Sequence, residues 1–137
     1  MRLSRRSLAD RLTGRDQRGS AVVDFVLVSL ILVPLVLGIV HLALVLHVRN
    51  TLAGAAAEGA RLAATVDRGP GDGERLTRQQ ITNALADRFA RQVTATRTTR
   101  DGVPVIRVNI HAEVPPLGLW GPAVSLDLVG HAVAETP

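Results

Sequence analysis

The chain has 137 residues, which is enough for one small domain or for one membrane helix with a smaller domain. Its formal net charge is +4, and residues 1–19 carry all of it, with six arginines against two aspartates; ten arginines balance ten acidic residues in the remainder. Charge confined to one end argues against a nucleic-acid-binding face, and the lack of cysteine excludes disulfides and thiolate metal sites.

An apolar run from Phe25 to Leu46 dominates the N-terminal third and contains no formally charged side chain. As a helix it is about 33 Å long, enough to cross the roughly 30 Å hydrocarbon core of a bilayer. A protein of this size could hardly bury such a helix on all sides. We therefore expect a basic leader over residues 1–19 and a transmembrane helix over residues 20–48.

The flanking charges predict the orientation of this helix. All six leader arginines lie within about 20 residues of the run, whereas only Arg49 and Arg61 follow it closely. The positive-inside bias places the N-terminus in the cytoplasm and the C-terminal part outside, in a single pass.

Two export signals compete with a permanent anchor. Residues 4–8 resemble a twin-arginine signal, but the apolar run starts far downstream of them. The alanines of residues 53–57 resemble signal-peptidase sites, yet the run is longer than the 7–15 residues of a secretory signal. An anchor is favoured, and release after the alanines stays as the alternative.

Beyond the membrane, residues 49–66 are rich in strong helix formers and predict a continuation of the helix. Alanine and glycine dominate this segment, so that neighbouring helices could approach it closely; it is equally consistent with a simple alanine helix. Residues 67–74 contain three glycines and a proline and predict a linker.

A second helix is expected to begin the C-terminal domain, residues 75–137. Thr77 and Gln80 fit the Thr-x-x-Gln capping box at a helix start. A stripe of apolar residues then recurs every fourth position and predicts the buried face of that helix: Ile81, Leu85, Phe89 and Val93.

Alternation of apolar and polar residues over Ile106–Val114 predicts a strand. Asp101-Gly102 is a favoured two-residue hairpin turn, which makes Val93–Arg100 its partner strand. Pro115–Pro122 is expected to be a loop, and Val124–Val133 a third strand. The predicted fold class is therefore an α+β membrane protein, with one long N-terminal helix that extends outside the membrane, a second helix and about three antiparallel strands.

Three segments together resemble the TadE/TadG-like family of tight-adherence (Flp-type) pilus proteins. They are Gly19–Phe25, Pro34 within the span, and Ala55–Ala64. The resemblance covers about residues 18–64, a third of the chain. It implies a bacterial inner-membrane protein of a Tad/Flp-type, type IV pilus-like secretion system.

The resemblance also implies functional residues. Pseudopilin members are cut by a membrane aspartyl peptidase after a glycine, which by position lies between Gly19 and Ser20. Asp24 is then the fifth residue of the product, where pilins have glutamate, and some relatives remain uncut. On chemistry alone, Asp24 stabilises the helix N-terminus through the macrodipole. The cut implied by the resemblance adds a second hypothesis, in which Asp24 neutralises the new ammonium group of Ser20, one helical turn away in its own chain or in a neighbour. Pro34 removes a helix hydrogen bond and suggests a kink.

The expected function is that of a TadE-like minor pilin or pilus-assembly protein. Its expected partners are other pilin-like subunits, a prepilin-type peptidase and membrane lipid, with no nucleic acid. The alternatives are an uncleaved scaffold of an export system and a released binding domain. No nucleophile elbow, phosphate loop, metal motif or cofactor motif occurs, and His41, His47, His111 and His131 are expected to be structural or solvated. We therefore expect neither an enzyme nor a cofactor.

Overall fold

A computed structural model describes residues 9–117 and 123–135, with side chains from Gly19 onwards. The leader's arginine side chains, the twin-arginine-like residues 4–8 and residues 118–122 of the predicted loop lie outside the described residues. The elements in chain order are the helices α1 (Ala9–Ala64) and α2 (Pro70–Ala84), a 3₁₀ turn (Asp87–Ala90), and the strands β1 (Gln92–Arg100), β2 (Val103–Val114) and β3 (Val124–Val133). The predicted α+β class is confirmed.

Helix α1 contains both the apolar run and its predicted continuation. It ends at Ala64, two residues before the predicted end, and it continues without interruption through Pro34. The chain divides into two compact units after Val40. The second unit, residues 41–137, contains the last turns of α1 together with α2 and the sheet, and these build one core.

Helix α2 begins seven residues earlier than the capping box had predicted. Pro70 occupies its first turn, where a missing backbone N–H costs nothing, and its fixed φ suits a helix. The Asp72 carboxylate, not Gln80, reaches back to the N-terminus and accepts a hydrogen bond from the Gly69 N–H at 3.4 Å. The predicted start at Thr77 is therefore wrong, and only residues 65–69 separate the two helices.

The predicted apolar stripe is also not one helix face. Helix α2 stops at Ala84, because Leu85 takes an extended conformation with φ of −133°. Phe89 lies in the 3₁₀ turn and Val93 in β1. Ile81, Phe89 and Val93 are nevertheless all buried. The stripe predicted burial correctly but the secondary structure incorrectly.

The three strands form an antiparallel sheet in the order β1-β2-β3. Asp101 and Gly102 both have positive φ, 52° and 82°, as a tight hairpin turn requires. Strand β3 has the predicted bounds, and β1 begins one residue before the predicted partner strand. All three predicted strands and the turn are confirmed.

One face of this sheet packs on the helices and the other faces solvent. The inward residues of β2 follow the predicted alternation from Ile106 to Val114 and are all buried. They share a core with residues of α1, among which Val48, Leu52, Ala56 and Ala60 are almost completely buried. The end of α1 is thus an integral part of the domain's core.

Candidate membrane-spanning and assembly segment

The residues predicted from the pilin resemblance all lie on α1. Gly19, Ser20, Asp24 and Pro34 are exposed within its helical turns. Ser20 and Asp24 are one turn apart, so that their side chains share a helix face. A β-carbon on Gly19 would meet no atom within 4 Å. The geometry therefore leaves the bond after Gly19 unobstructed by the described residues, and whether it is cut stays a prediction.

Helix α1 is long and apolar enough to cross a membrane. Seventeen large hydrophobic side chains between Val22 and Leu46 are substantially exposed. At about 25 cal/mol per Å² of apolar surface, leaving them in water would cost tens of kcal/mol. That exceeds the roughly 5–15 kcal/mol by which a small domain is stable. The exposed apolar surface therefore makes this segment a candidate membrane span.

Asp24 lies just before the apolar run, and the run itself contains two polar side chains, Ser29 and His41. Asp24 is the only formally charged residue between Gly19 and Val48. His41 is half-buried, and its Nδ1 atom has no hydrogen-bond partner among the described residues. In an apolar environment, a polar atom of Asp24 or His41 that stayed unsatisfied would cost about 1–3 kcal/mol.

The alanine- and glycine-rich end of α1 does permit close approach, and the elements that approach it are in this chain. Gly59 lies against Gly73 and Thr77 of α2, and Gly130 of β3 lies directly against the backbone of Ala56. Larger side chains at these positions would separate the elements. The small residues of α1 therefore serve the domain's own packing.

Sequence reasoning missed the part played by Arg78 of α2. Its guanidinium group forms an ion pair with Glu74 at 2.9 Å. It also donates hydrogen bonds to the carbonyl oxygens of Ala90 and Val93, each at 2.7 Å. Arg78 thereby ties α2 to the start of β1. Its spacing of four residues from Glu74 was the only available signal.

A second missed pair lies on the solvent face of the sheet. His111 of β2 and Asp127 of β3 are opposite each other in the register, with Nδ1 and Oδ1 2.6 Å apart. This contact with the Asp127 carboxylate raises the pKa of His111 above its usual value of 6.5. Only the pairing of the strands brings the two residues together, so spacing along the chain could not reveal it.

No group of three potential metal ligands occurs in residues 19–117 and 123–135. The feature that remains for a functional assignment is the apolar helix with its N-terminal Gly-Ser and Asp24. Residues 19–61 match the family of TadE-like proteins. The resemblance stated from the sequence is confirmed over this segment, which relates the chain to Tad pilus proteins.

The TadE-like region lies entirely within α1 and covers about a third of the chain. It begins at the glycine of the predicted cut and ends in the turns that pack against α2. Helix α2 and the sheet lie outside it. No curated protein and no solved structure matches the chain.

Proposed function

We propose that the chain is a minor pilin or pilus-assembly subunit that is anchored in the bacterial inner membrane by α1 and packs with other pilin-like subunits. The supporting observation is the coincidence of the TadE-like region with a helix whose apolar side chains are exposed from Val22 to Leu46. The role is assembly rather than catalysis. Pilin-like neighbours and lipid are the two apolar environments that such a helix fits.

The orientation follows from the distribution of arginine. Six arginines precede the apolar run, and the leader they occupy stays in the cytoplasm under the positive-inside rule. Residues 49–137 then lie outside. Moving the leader across the membrane would require the transfer of six guanidinium groups, which disfavours the opposite topology.

Packing with other subunits also explains the charge at the start of the apolar run. After cleavage behind Gly19, Asp24 neutralises the ammonium group of Ser20, in the same chain or in a neighbour. This contact removes the cost of an unpaired charge in an apolar bundle.

The N-terminal mass of the purified protein tests the processing step. The full chain is expressed in a bacterium with a prepilin-type peptidase, and we expect a product that begins at Ser20. Gly19→Val should leave the chain intact, whereas the control Gly14→Val should not affect the cut. An unvarying Met1 start in all three proteins would contradict processing and leave the uncleaved scaffold.

Carbonate extraction of the membranes tests the anchor separately. We expect the full chain to stay in the membrane pellet, with or without processing. Extraction of the intact chain into solution would defeat the assembly role, because the helix would then not be embedded.

Release of the domain after residues 53–57 is the weaker alternative. Ala55 and Ala56 are buried, and Val48 and Leu52 upstream of them are almost completely buried in the same core. A cut at these alanines would remove both large side chains from the domain. Each such loss costs about 2–5 kcal/mol, so the core supports retention of the whole helix.

A further inference from the structure

Strand β3 runs alongside α1 in the same direction. Gly130 lies against Ala56, and the Glu135 N–H donates a hydrogen bond to the Ala64 carbonyl oxygen at 2.8 Å. Between these contacts α1 advances by about 12 Å and β3 by about 17 Å. Val124, at the start of β3, lies six residues before Gly130. Along the axis of α1 it is therefore about 14–20 Å closer than Gly130 to the N-terminal end of that helix, beside residues 43–47.

The packing of α2 locates the same end of the domain along α1 independently, because α2 runs antiparallel to α1. Gly73 lies against Gly59 near its start, and the Thr77 hydroxyl lies 3.3 Å from the Ala55 carbonyl oxygen one turn later. Its last turn, at Asn83 and Ala84, lines one cleft with Asn50 and Thr51. The 3₁₀ turn that follows α2 consequently lies at or before residue 50 of α1.

Both measures place the same end of the domain beside the end of the apolar run, which is Leu46. We call this the proximal end and define it by six residues: Arg88, Arg91, Pro115, Pro116, Leu117 and Ala123. Val114 and Val124, which pair at the end of the sheet, lie next to it. If residues up to Leu46 are in hydrocarbon, the proximal end is at the depth of the lipid headgroups.

We propose that the proximal end rests on the bilayer surface, with Pro116 and Leu117 in the interfacial layer and Arg88 and Arg91 on lipid phosphates. This inference rests on the proposed membrane anchor. It goes further by assigning the domain a lipid-binding surface, so that the domain lies against the membrane that holds its own helix.

The chemistry of these residues fits a lipid interface. Arg88 and Arg91 are exposed and line one surface cleft of about 450 Å³ together with Pro115 and Pro116. Guanidinium groups suit phosphate because they donate paired hydrogen bonds. The two prolines have no N–H that would be left unsatisfied in an apolar layer. Glu113 lines the same cleft and offsets one of the two positive charges, so the attraction depends on how closely each guanidinium group approaches a phosphate.

The opposite end of the sheet provides a matched control. It is formed by the Asp101-Gly102 turn and carries two exposed arginines of β1, Arg97 and Arg100. These arginines have the same chemistry as Arg88 and Arg91 and lie several turns of α1 farther from Leu46. A purely electrostatic or non-specific attraction to lipid would involve both pairs alike.

Because the chain has no cysteine, single spin labels can be placed without other changes. The full chain is reconstituted in vesicles of neutral and anionic phospholipid and labelled at Leu32→Cys, Leu117→Cys or Thr99→Cys. Collision with oxygen, which is enriched in lipid, is compared with collision with a water-soluble nickel complex. We expect a lipid-like ratio at residue 32, an interfacial ratio at residue 117 and a water-like ratio at residue 99.

The outcomes separate the two proposals. A water-like ratio at residue 117 with a lipid-like ratio at residue 32 would overturn the docking surface and leave the anchor intact. A water-like ratio at residue 32 would overturn the anchor itself.

A charge reversal tests the role of the arginines. In R88E/R91E we expect the label at residue 117 to shift toward water in anionic vesicles, with the ratio of docked to undocked protein falling at least about fivefold per arginine. R97E/R100E should leave the label unchanged. Equal shifts in the two double variants, or no shift in either, would contradict specific phosphate binding at the proximal end.

Discussion

Gly59 of α1 and Gly73 of α2 lie so close together that neither position has room for a β-carbon. A Cβ on Gly59 would be 2.7 Å from the Gly73 carbonyl oxygen, and one on Gly73 would be 2.5 Å from that of Gly59. Real Cβ atoms essentially never come within 3.0 Å of such atoms. The Thr77 hydroxyl completes the contact by donating to the Gly73 carbonyl oxygen at 2.8 Å. This contact fixes the antiparallel approach of the two helices.

Gly59→Ala is therefore expected to lower the free energy of unfolding by about 1–3 kcal/mol, because the added methyl group overpacks a rigid backbone contact. Gly54→Ala, on the same helix, meets nothing within 4 Å and should raise it by about 0.5–1 kcal/mol through reduced unfolded-state entropy. Thermal unfolding in mild detergent, followed by circular dichroism, measures both. Similar midpoints for the two variants would refute the close contact.

Two parts of the fold were predictable from local sequence signals. Strand β2 was predictable because one of its faces is buried and the other is solvated, which requires apolar and polar residues to alternate along the strand. The hairpin turn was predictable because Asp-Gly tolerates the positive φ values of Asp101 and Gly102. Both signals are local, and both were confirmed.

The start of α2 could not be predicted because three glycines in residues 67–74 suggest a linker. Gly73 is in fact required by the contact with Gly59, which is distant in sequence and therefore invisible in it. Thr77 mimicked a cap for a related reason: its small hydroxyl is needed between α1 and α2, where it is completely buried. Tertiary packing, rather than helix propensity, determined these residues.

Within the candidate site, the apolar run was predictable from length and composition alone. The residues Gly19, Ser20, Asp24 and Pro34 came from the family resemblance, and their roles stay predictions. Arg78 and the pair of His111 with Asp127 depend on how the strands and helices meet, and no single segment of the sequence contains that information.

The charge at the start of α2 should make its stability depend on pH. Hydrogen bonds from Arg75 and from the Gly69 N–H lower the pKa of Asp72 below its usual 3.8. A lowered pKa gives stability that is present above pH 3.8 and is lost as the pH falls through the pKa of the folded state. Asp72→Asn should thus lower the unfolding midpoint at neutral pH but not in acid. Asp87→Asn is the control. If Asp72→Asn lowered the unfolding midpoint equally at neutral and at acid pH, the result would argue against the pairing of the Asp72 carboxylate with Arg75 and the Gly69 N–H.

Arg78 offers a test of the connection between α2 and β1. Arg78→Lys keeps the charge but cannot reproduce the forked donors that reach both Ala90 and Val93. We expect a loss of about 1–3 kcal/mol in unfolding free energy, because part-buried carbonyl groups lose charge-assisted hydrogen bonds. The matched control is Arg75→Lys, whose exposed pair with Asp72 is worth at most about 1 kcal/mol. Denaturant unfolding compares them, and equal losses would show that the fork is unimportant.

The pair of His111 and Asp127 should make the stability of the sheet depend on pH in the opposite sense to that expected for Asp72. Its raised pKa means that the stability it contributes is fully present below pH 6.5 and is lost as the pH rises through the higher pKa of the folded state. Asp127→Asn should return the pKa of His111 toward 6.5 and remove this pH dependence. Glu113→Gln should cause a smaller decrease in that pKa, because Glu113 acts on His111 through charge alone. Titration of the imidazole signals by nuclear magnetic resonance measures all three proteins. If Asp127→Asn left the His111 pKa unchanged, the two side chains would not be paired across β2 and β3 in solution.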